Sequence, residues 1–271
     1  MTITGIDKKE IAQVCIIVDD VAISADAYRR VFGWEIPDTY QITRLSDHTR
    51  ATYYGDSTDA RALISGFNIG GIQFELLQPM GPPSTWQDYL NQHGEGIHHI
   101  AFFVPKTDPV AESFVEHSYQ ITQQGLFTRQ TGMYTYLDTD KDMGVVIELL
   151  EHFNGSPTPK ASDFPADKGI GTDVVRQVGI IVSDIEATAD RLSSVLGLPK
   201  PSIQETAGHA VSKTMYRGEP SEATAKLAFF NTGQVQIELI QPDEKPSVWR
   251  DYLDAKGEGA QHIAFYVKDT K

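Results

Sequence analysis

Two nearly identical stretches of the chain carry a histidine at the same place in a strand-like apolar run. The first reads GEGIHHIAFFV, at residues 94–104, and the second reads GEGAQHIAFYV, at residues 257–267. Of the two histidines in the first copy, only His99 has a histidine counterpart in the second copy, which is His262. Imidazole titrates near neutral pH and is a common metal ligand, so a histidine repeated at one strand position indicates acid–base or metal chemistry.

Other polar residues recur inside apolar runs in the same way. Glu75, Glu148 and Glu238 each lie in the middle of a stretch of Ile, Val, Leu and Phe, and Gln13 and Gln177 each lie in an earlier one. An ionised carboxylate in such surroundings is costly unless it is paired or binds a cation. Glutamate at corresponding places in three units therefore favours a binding site over a merely solvated strand face.

An internal repeat must position these residues. PSTWQDYL begins at Pro83 and recurs as PSVWRDYL from Pro246. A finer repeat lies inside the first half, where residues 12–33 and residues 98–117 each read as a strand followed by a helix. Each unit continues through two or three less distinct strands to a closing strand that carries glutamate. The pattern predicts an α+β protein built from repeated βαβββ units.

Helix starts are marked by aspartate. Asp20, Asp108 and Asp184 each precede an amphipathic segment and are predicted N-caps, because a short acceptor side chain satisfies the first free backbone N–H groups.

The repeat also predicts the domain organisation. Residues 1–152 are predicted to form a first domain of two units. Residues 153–173 are rich in Pro, Gly, Ser and Asp and are predicted to be a linker. Residues 174–271 are predicted to form a second domain that is incomplete at its C-terminus, because the fourth unit has no counterpart of the first-half pattern beyond Val267.

Composition excludes several classes of function. The 271 residues are 40% hydrophobic and 22% charged, with a net charge of −14, which argues against nucleic acid and anionic membranes as partners. One cysteine allows no internal disulfide, and no apolar signal core or membrane-spanning run occurs. A cytoplasmic location is expected.

Two further residues near the candidate ligands are interpreted as structural. Successive side chains of a strand point to opposite faces. His98 is expected on the face opposite His99 and, since its counterpart is Gln261, is interpreted as structural. Cys15 is interpreted as a small core residue, because its counterpart is Gly179.

The repeated units, with GEGIHHIAFFV and YLDTDKDMGVVIELLE, resemble the vicinal oxygen chelate superfamily. That superfamily includes glyoxalase I, methylmalonyl-CoA epimerase, extradiol dioxygenases and antibiotic-sequestering proteins. The resemblance covers nearly the whole chain apart from the linker. It implies pairs of βαβββ units that close into cup-shaped mixed sheets, the vicinal oxygen chelate fold.

The resemblance also implies a divalent metal cofactor (Zn, Ni, Co, Mn or Mg) bound by the first and closing strands of each unit. The implied ligands are Gln13, Glu75, His99 and Glu148 in the first half, with a second, incomplete set of Gln177, Glu238 and His262. The order Gln, Glu, His, Glu is similar to that of eukaryotic glyoxalase I, whereas the flanking residues are closer to the epimerases.

The implied activity is that of a metal-dependent isomerase or lyase that abstracts a proton next to a substrate carbonyl, as in glyoxalase I or a 2-methylacyl-CoA epimerase. Glu148 is the first candidate for the base and Glu75 the second. A small-molecule-binding, antibiotic-sequestering protein is the alternative. An extradiol-type dioxygenase is third, since Gln13 stands where those enzymes have a histidine. Expected partners are a small-molecule substrate, with thiol and CoA conjugates as candidates, and a second copy of the chain in a homodimer.

Two pairings of the units are open. Pairing in sequence order would complete the first-half set, whereas pairing of outer with outer and inner with inner units would combine Gln177 and Glu238 with His99 and Glu148. Short connections favour the sequential pairing.

Overall fold

A computed structural model describes most of the chain. The described residues are 6–7, 9–155, 157, 160–164 and 169–268. Their arrangement confirms the predicted α+β class with repeated units.

Two successive units make up the first half. The first unit and the helix that follows it comprise β1 (Ile11–Ile17), α1 (Val21–Phe32), β2 (Gln41–Ile42), α2 (Ser46–Thr49), β3 (Thr52–Tyr53), β4 (Asp56–Ser57), β5 (Ala62–Ile69), β6 (Ile72–Pro79) and α3 (Thr85–His93). The second unit comprises β7 (Gly96–Phe103), α4 (Thr107–Glu116), β8 (Ile121–Leu126), β9 (Gly132–Leu137), α5 (Asp140–Met143) and β10 (Val146–His152).

The second half repeats the first unit closely. Its described elements are β11 (Val175–Ile181), α6 (Ile185–Leu196), β12 (Gln204–Glu205), α7 (His209–Ser212), β13 (Met215–Tyr216), β14 (Glu219–Pro220), β15 (Ala225–Thr232), β16 (Val235–Pro242), α8 (Val248–Lys256) and β17 (Gly259–Phe265).

The first half forms one curled sheet in the order β2-β5-β6-β1-β7-β10-β9-β8-β3-β4. Strand β1 pairs in parallel with β6 and antiparallel with β7, and β7 pairs in parallel with β10. The opening and closing strands of the two units are therefore the four central neighbours. This order is the sequential pairing of units.

Alternation gives the central strands two different faces. Val14, Phe74 and Ile147 point to the outer face, where they join the main hydrophobic core. Cys15 and Leu77 point to the concave face, together with aromatic residues of α3 and β9. The concave face is thus a cup whose wall is apolar and whose floor holds the polar residues of the repeat.

The second half forms a separate sheet in the order β12-β15-β16-β11-β17, and β13 and β14 form a small hairpin. One hydrophobic core includes residues from both halves. Within it the Phe265 ring lies 5.4 Å from the Phe32 ring and 5.9 Å from the Trp34 ring, between centroids. The halves pack through this common core, and the predicted domain boundaries stay a prediction.

Two of the three predicted N-caps are confirmed. The Asp20 carboxylate accepts hydrogen bonds from the backbone of α1, and Asp184 does so for α6. Asp108 is not a cap, because α4 begins at Thr107. There the backbone N–H of Thr107 donates to the Glu151 carboxylate of β10 at 2.9 Å, so a tertiary contact replaces the local cap.

The predicted linker is anchored where it is described. Phe164 is buried and stacks on Trp34 with ring centroids 5.9 Å apart. The Asp163 carboxylate accepts a hydrogen bond of 2.7 Å from the backbone of Asn68. Residues 156, 158–159 and 165–168 of this segment lie outside the described residues. No helix among the described residues is long and apolar enough to cross a membrane.

Candidate metal centre

The four central strands bring the first-half candidate ligands to the floor of the cup. In the ladder, Cys15 of β1 lies opposite both Glu75 of β6 and His99 of β7. Gln13, Glu75 and Glu148 line a cavity of about 510 Å³, and His99 lies fully buried beside it. A cavity of this volume suits a small-molecule ligand.

One close approach at the floor joins His99 and Glu148. The His99 Nε2 atom lies 3.0 Å from the Glu148 Oε2 atom, and both side chains are almost completely buried. The two atoms are not aligned for a hydrogen bond, and among the described residues neither has another hydrogen-bond partner. Buried polar atoms without hydrogen-bond partners are rare in native proteins, and a bound ion is one explanation for them.

Cys15 is a buried core residue, as interpreted from the sequence, and it also belongs to the same cluster. Its Sγ atom, one carboxylate oxygen of Glu75 and one ring nitrogen of His99 lie within 4.8 Å of one another, which is close enough to share a metal ion. Burial, together with the charges of Glu75 and Glu148, raises the pKa of the Cys15 thiol well above its usual value. The signal in the sequence was its spacing, since Cys15 lies two residues after Gln13 on one strand face.

Burial also dominates the acid–base properties of the floor. It raises the pKa of the Glu75 and Glu148 carboxyl groups to about 8. At Glu75, repulsion by Glu148 adds to this rise, and hydrogen bonds with Cys15 and Gln13 oppose it. Burial lowers the pKa of His99 to about 3. Without a cation, the floor is therefore neutral near pH 7, with protonated carboxyl groups and an uncharged imidazole.

An aromatic wall holds these groups in place. The Trp86 indole N–H donates to the Tyr136 hydroxyl at 3.2 Å, and Tyr136 in turn hydrogen bonds with Glu148, which lowers the pKa of Glu148 against the effect of burial. The Tyr136 ring also lies 4.9 Å from the His99 ring, between centroids. The aromatic wall therefore restricts the movement of both His99 and Glu148.

His98 does not lie where simple alternation places it. In the pairing of β1 with β7, Cys15 lies opposite His99, but the next residue, Ile16, lies opposite Ile97. His98 has no partner on β1 and is therefore the extra residue of a β-bulge. Both His98 and His99 therefore contact the Tyr136 ring. The expectation that His98 points to the opposite face is wrong for this reason.

The second half brings together two of its three candidate ligands in a more open form. The His262 Nε2 atom lies 3.5 Å from the Glu238 Oε2 atom, and 35% of the His262 side chain is exposed. Gln177 lies on the neighbouring strand β11. A Cβ atom at Gly179 would lie 2.2 Å from the His262 ring, so glycine leaves room for the ring where the first half has Cys15.

Comparison with protein families agrees with this architecture. The family model of the Glyoxalase/Bleomycin resistance protein/Dioxygenase superfamily matches residues 12–137 and 176–271. The chain belongs to this superfamily. A curated relative, the uncharacterized protein YqjC of Bacillus subtilis (strain 168), is 25% identical over 91 residues, which are 32% of this chain and 64% of that protein.

Solved structures of the superfamily fold are also similar. A mutant of 4-hydroxymandelate synthase from Streptomyces coelicolor matches with a TM-score of 0.62 and 18% identity, over 97% of this chain and 72% of that chain. Methylmalonyl-CoA epimerase from Mycobacterium tuberculosis matches with a TM-score of 0.40 and 19% identity, over 55% of this chain and 89% of that chain. At these identities the first match shows a shared fold only.

The pKa shifts predict opposite effects for two substitutions on β10. Because Glu148 holds its proton more tightly in the folded chain, its contribution to stability is complete below about pH 4.5 and is lost as the pH rises through about 8. In metal-free protein at about pH 9, Glu148→Gln should therefore increase the free energy of unfolding by at least about 1 kcal/mol. Urea denaturation across this pH range measures the effect.

Glu151 supplies the matched control. Burial alone would raise its pKa, but hydrogen bonds from Lys106 and Thr107 lower it. Glu151→Gln should therefore decrease the free energy of unfolding by roughly 1 kcal/mol near neutral pH. Equal destabilisation by both substitutions at high pH would contradict the buried, protonated state of Glu148.

Proposed function

We propose that this chain is a divalent-metal-dependent isomerase or lyase that abstracts a proton next to a substrate carbonyl. The observation that carries the proposal is the pair of unpartnered, buried atoms His99 Nε2 and Glu148 Oε2 at the floor of an open cavity. Gln13 and Glu75 complete a donor set around them.

The donors present fit a divalent cation. Cys15, Glu75 and His99 offer a sulfur atom, a carboxylate oxygen and an imidazole nitrogen that lie close enough to share an ion. Glu148 adds an oxygen atom 3.0 Å from His99 Nε2, and Gln13 adds an amide oxygen on the wall of the same cavity. Imidazole and sulfur donors favour Zn²⁺, Co²⁺ or Ni²⁺, whereas oxygen donors alone would favour Mg²⁺ or Mn²⁺. A cation bound here would polarise a substrate carbonyl oxygen and so acidify the adjacent C–H bond.

Glu148 is the better candidate for the base. Tyr136 hydrogen bonds with Glu148, but the Glu148 Oε2 atom has no hydrogen-bond partner among the described residues. Glu75 hydrogen bonds with both Gln13 and Cys15. In the proposed reaction the ionised carboxylate of Glu148 takes the proton from the carbon next to the carbonyl, and the electron pair of that C–H bond passes into an enolate. Return of the proton to another face or atom gives the isomer.

The proposal is tested by metal analysis followed by proton exchange. Protein purified without chelators should contain about one divalent cation per chain, and His99→Ala should contain much less. The metal-loaded protein should exchange the C–H proton next to the carbonyl of a 2-methylacyl thioester or a hemithioacetal for deuterium in D₂O, as followed by NMR.

Glu148→Gln should reduce this exchange by at least about a hundredfold, because general-base catalysis contributes about that much. Glu151→Gln on the same strand is the control and should retain exchange. Absence of metal from the unmodified protein, or equal exchange by Glu148→Gln and the unmodified protein, would contradict the proposal.

Two other functions are less well supported. A binding protein without catalysis could use the same aromatic cup, but the carboxyl groups of Glu75 and Glu148 at its floor would then lower its stability without contributing to binding. A dioxygenase site usually has two histidines and one carboxylate on iron. Here His98 is turned towards the His99 ring, so a single imidazole nitrogen faces the carboxyl groups.

Residues at the mouth of the cup favour an anionic substrate. Arg44 and Arg129 line the cavity, both are exposed, and neither forms an ion pair with any described residue. Their loops are joined, since His48 Nε2 lies 2.7 Å from the carbonyl oxygen of Thr128 and Gln130 donates to the carbonyl oxygen of His48. Two unpaired guanidinium groups suit a carboxylate or phosphate, as in a thiol or CoA conjugate.

Arg44→Gln tests this substrate class. It should weaken binding of a CoA thioester by about tenfold or more, because a charge-assisted hydrogen bond contributes about 1.5–3 kcal/mol. Binding of the uncharged N-acetylcysteamine thioester with the same acyl group should be unchanged. Arg61→Gln is the control, because Arg61 is exposed but does not line the cavity. Equal weakening for both thioesters would contradict an anion site at Arg44.

A further inference from the structure

The residue before each candidate ligand histidine is held in the same unusual position in both halves. In β7 this residue is His98, and in β17 it is Gln261. The pairing of β11 with β17 shifts register between Gly179 and Ile180, as the pairing of β1 with β7 does at the corresponding place. Each strand therefore carries a β-bulge that turns the extra side chain towards the neighbouring histidine ring.

In each half, the side chain of the extra residue contacts the Nδ1 atom of the histidine that follows it. The Nδ1 atoms of His98 and His99 lie 2.9 Å apart. The Oε1 atom of Gln261 lies 3.1 Å from the Nδ1 atom of His262. Histidine and glutamine differ in shape and charge, but each can offer a hydrogen-bond acceptor at this point.

The glutamine identifies which ring atom carries the proton. The Gln261 amide nitrogen donates to the backbone carbonyl of Val248 at 2.9 Å, so the amide oxygen is the atom that faces the ring. An amide oxygen only accepts hydrogen bonds. The Nδ1 atom of His262 must therefore be the donor, and in the neutral ring this leaves the Nε2 atom, which is directed at Glu238, unprotonated.

The same assignment accounts for the first half. If the Nδ1–H group of His99 donates to the Nδ1 atom of His98, the Nε2 atom of His99 carries a free lone pair. That Nε2 atom is the one that lies 3.0 Å from Glu148 and has no hydrogen-bond partner among the described residues. The opposite tautomer would place a proton where the proposed cation binds.

We infer that His98 is a positioning residue, which fixes His99 in the Nδ1-protonated tautomer and keeps its Nε2 atom available to a divalent cation. Gln261 has the same role towards His262. Partners of this kind orient metal-binding histidines and raise their basicity. The inference rests on the proposed metal site, but it does not depend on the reaction that the site catalyses.

His98 is not itself suited to bind the cation. Its Nδ1 atom is occupied by His99, and its ring packs edge-on against Tyr89 and Tyr136, with centroids 5.1 Å and 5.6 Å away. A direct ligand would have to leave this packing. The ring therefore acts on the site through His99.

Two substitutions separate the acceptor from the shape of the ring. His98→Gln supplies the acceptor that the second half uses, whereas His98→Leu supplies bulk without an acceptor. The dissociation constant for Zn²⁺ is measured by competition with a chromophoric chelator, and thermal unfolding confirms that each variant is folded. His98→Leu should weaken Zn²⁺ binding by about 10–100-fold, and His98→Gln should stay within about threefold of the unmodified protein.

The tautomer is read directly in metal-free protein by long-range ¹H–¹⁵N NMR of His99, so this result does not require either variant to fold. The Nδ1–H form is expected. An Nε2–H form, equal Zn²⁺ affinity of His98→Leu and the unmodified protein, or equal weakening by Gln and Leu would overturn the inference. If the unmodified protein binds no Zn²⁺ but His99 is in the Nδ1–H form, the metal proposal fails and the positioning contact stands.

Discussion

Two carboxylic acids and one imidazole meet at the floor of the cup, and their removal from water, nearly complete for His99 and Glu148 and partial for Glu75, is the constraint on which the rest of the site depends. Glu75 and Glu148 cannot both ionise there without compensation, because each would lose its hydration and repel the other. Protons compensate this cost when the site is empty of metal, and a divalent cation would do so by replacing them. The His99 Nε2 atom lies beside them as a neutral donor.

The strand order follows from what this cluster requires. Donors from four strands meet only if those strands are neighbours, and β6, β1, β7 and β10 are the centre of the first sheet. The outer face of the same strands joins the core that both halves share, which fixes the backbone behind the cluster. Trp86 and Tyr136 restrict it from the front. The floor is thus preorganised, as a binding or catalytic centre must be.

Much of this arrangement could be predicted because the chain repeats itself. Period-two alternation within matched strands was enough to place Glu75, His99 and Glu148 on one concave face. It failed at His98, since a β-bulge changes the face of a residue and has no signature in the residue types around it. It also did not predict that Cys15 lies within reach of Glu75 and His99, because that proximity depends on the register between strands. A homodimer and a cytoplasmic location stay predictions from the sequence.

Calorimetric titration of Zn²⁺ into metal-free protein at about pH 7, in two buffers with different ionisation enthalpies, tests the central claim most directly. The carboxyl groups of Glu75 and Glu148, with pKa values of about 8, hold protons until a cation displaces them. Binding of about one Zn²⁺ per chain should therefore release at least about one proton to the buffer. Absence of binding, or binding without proton release, would contradict a cation site at the floor of the cup.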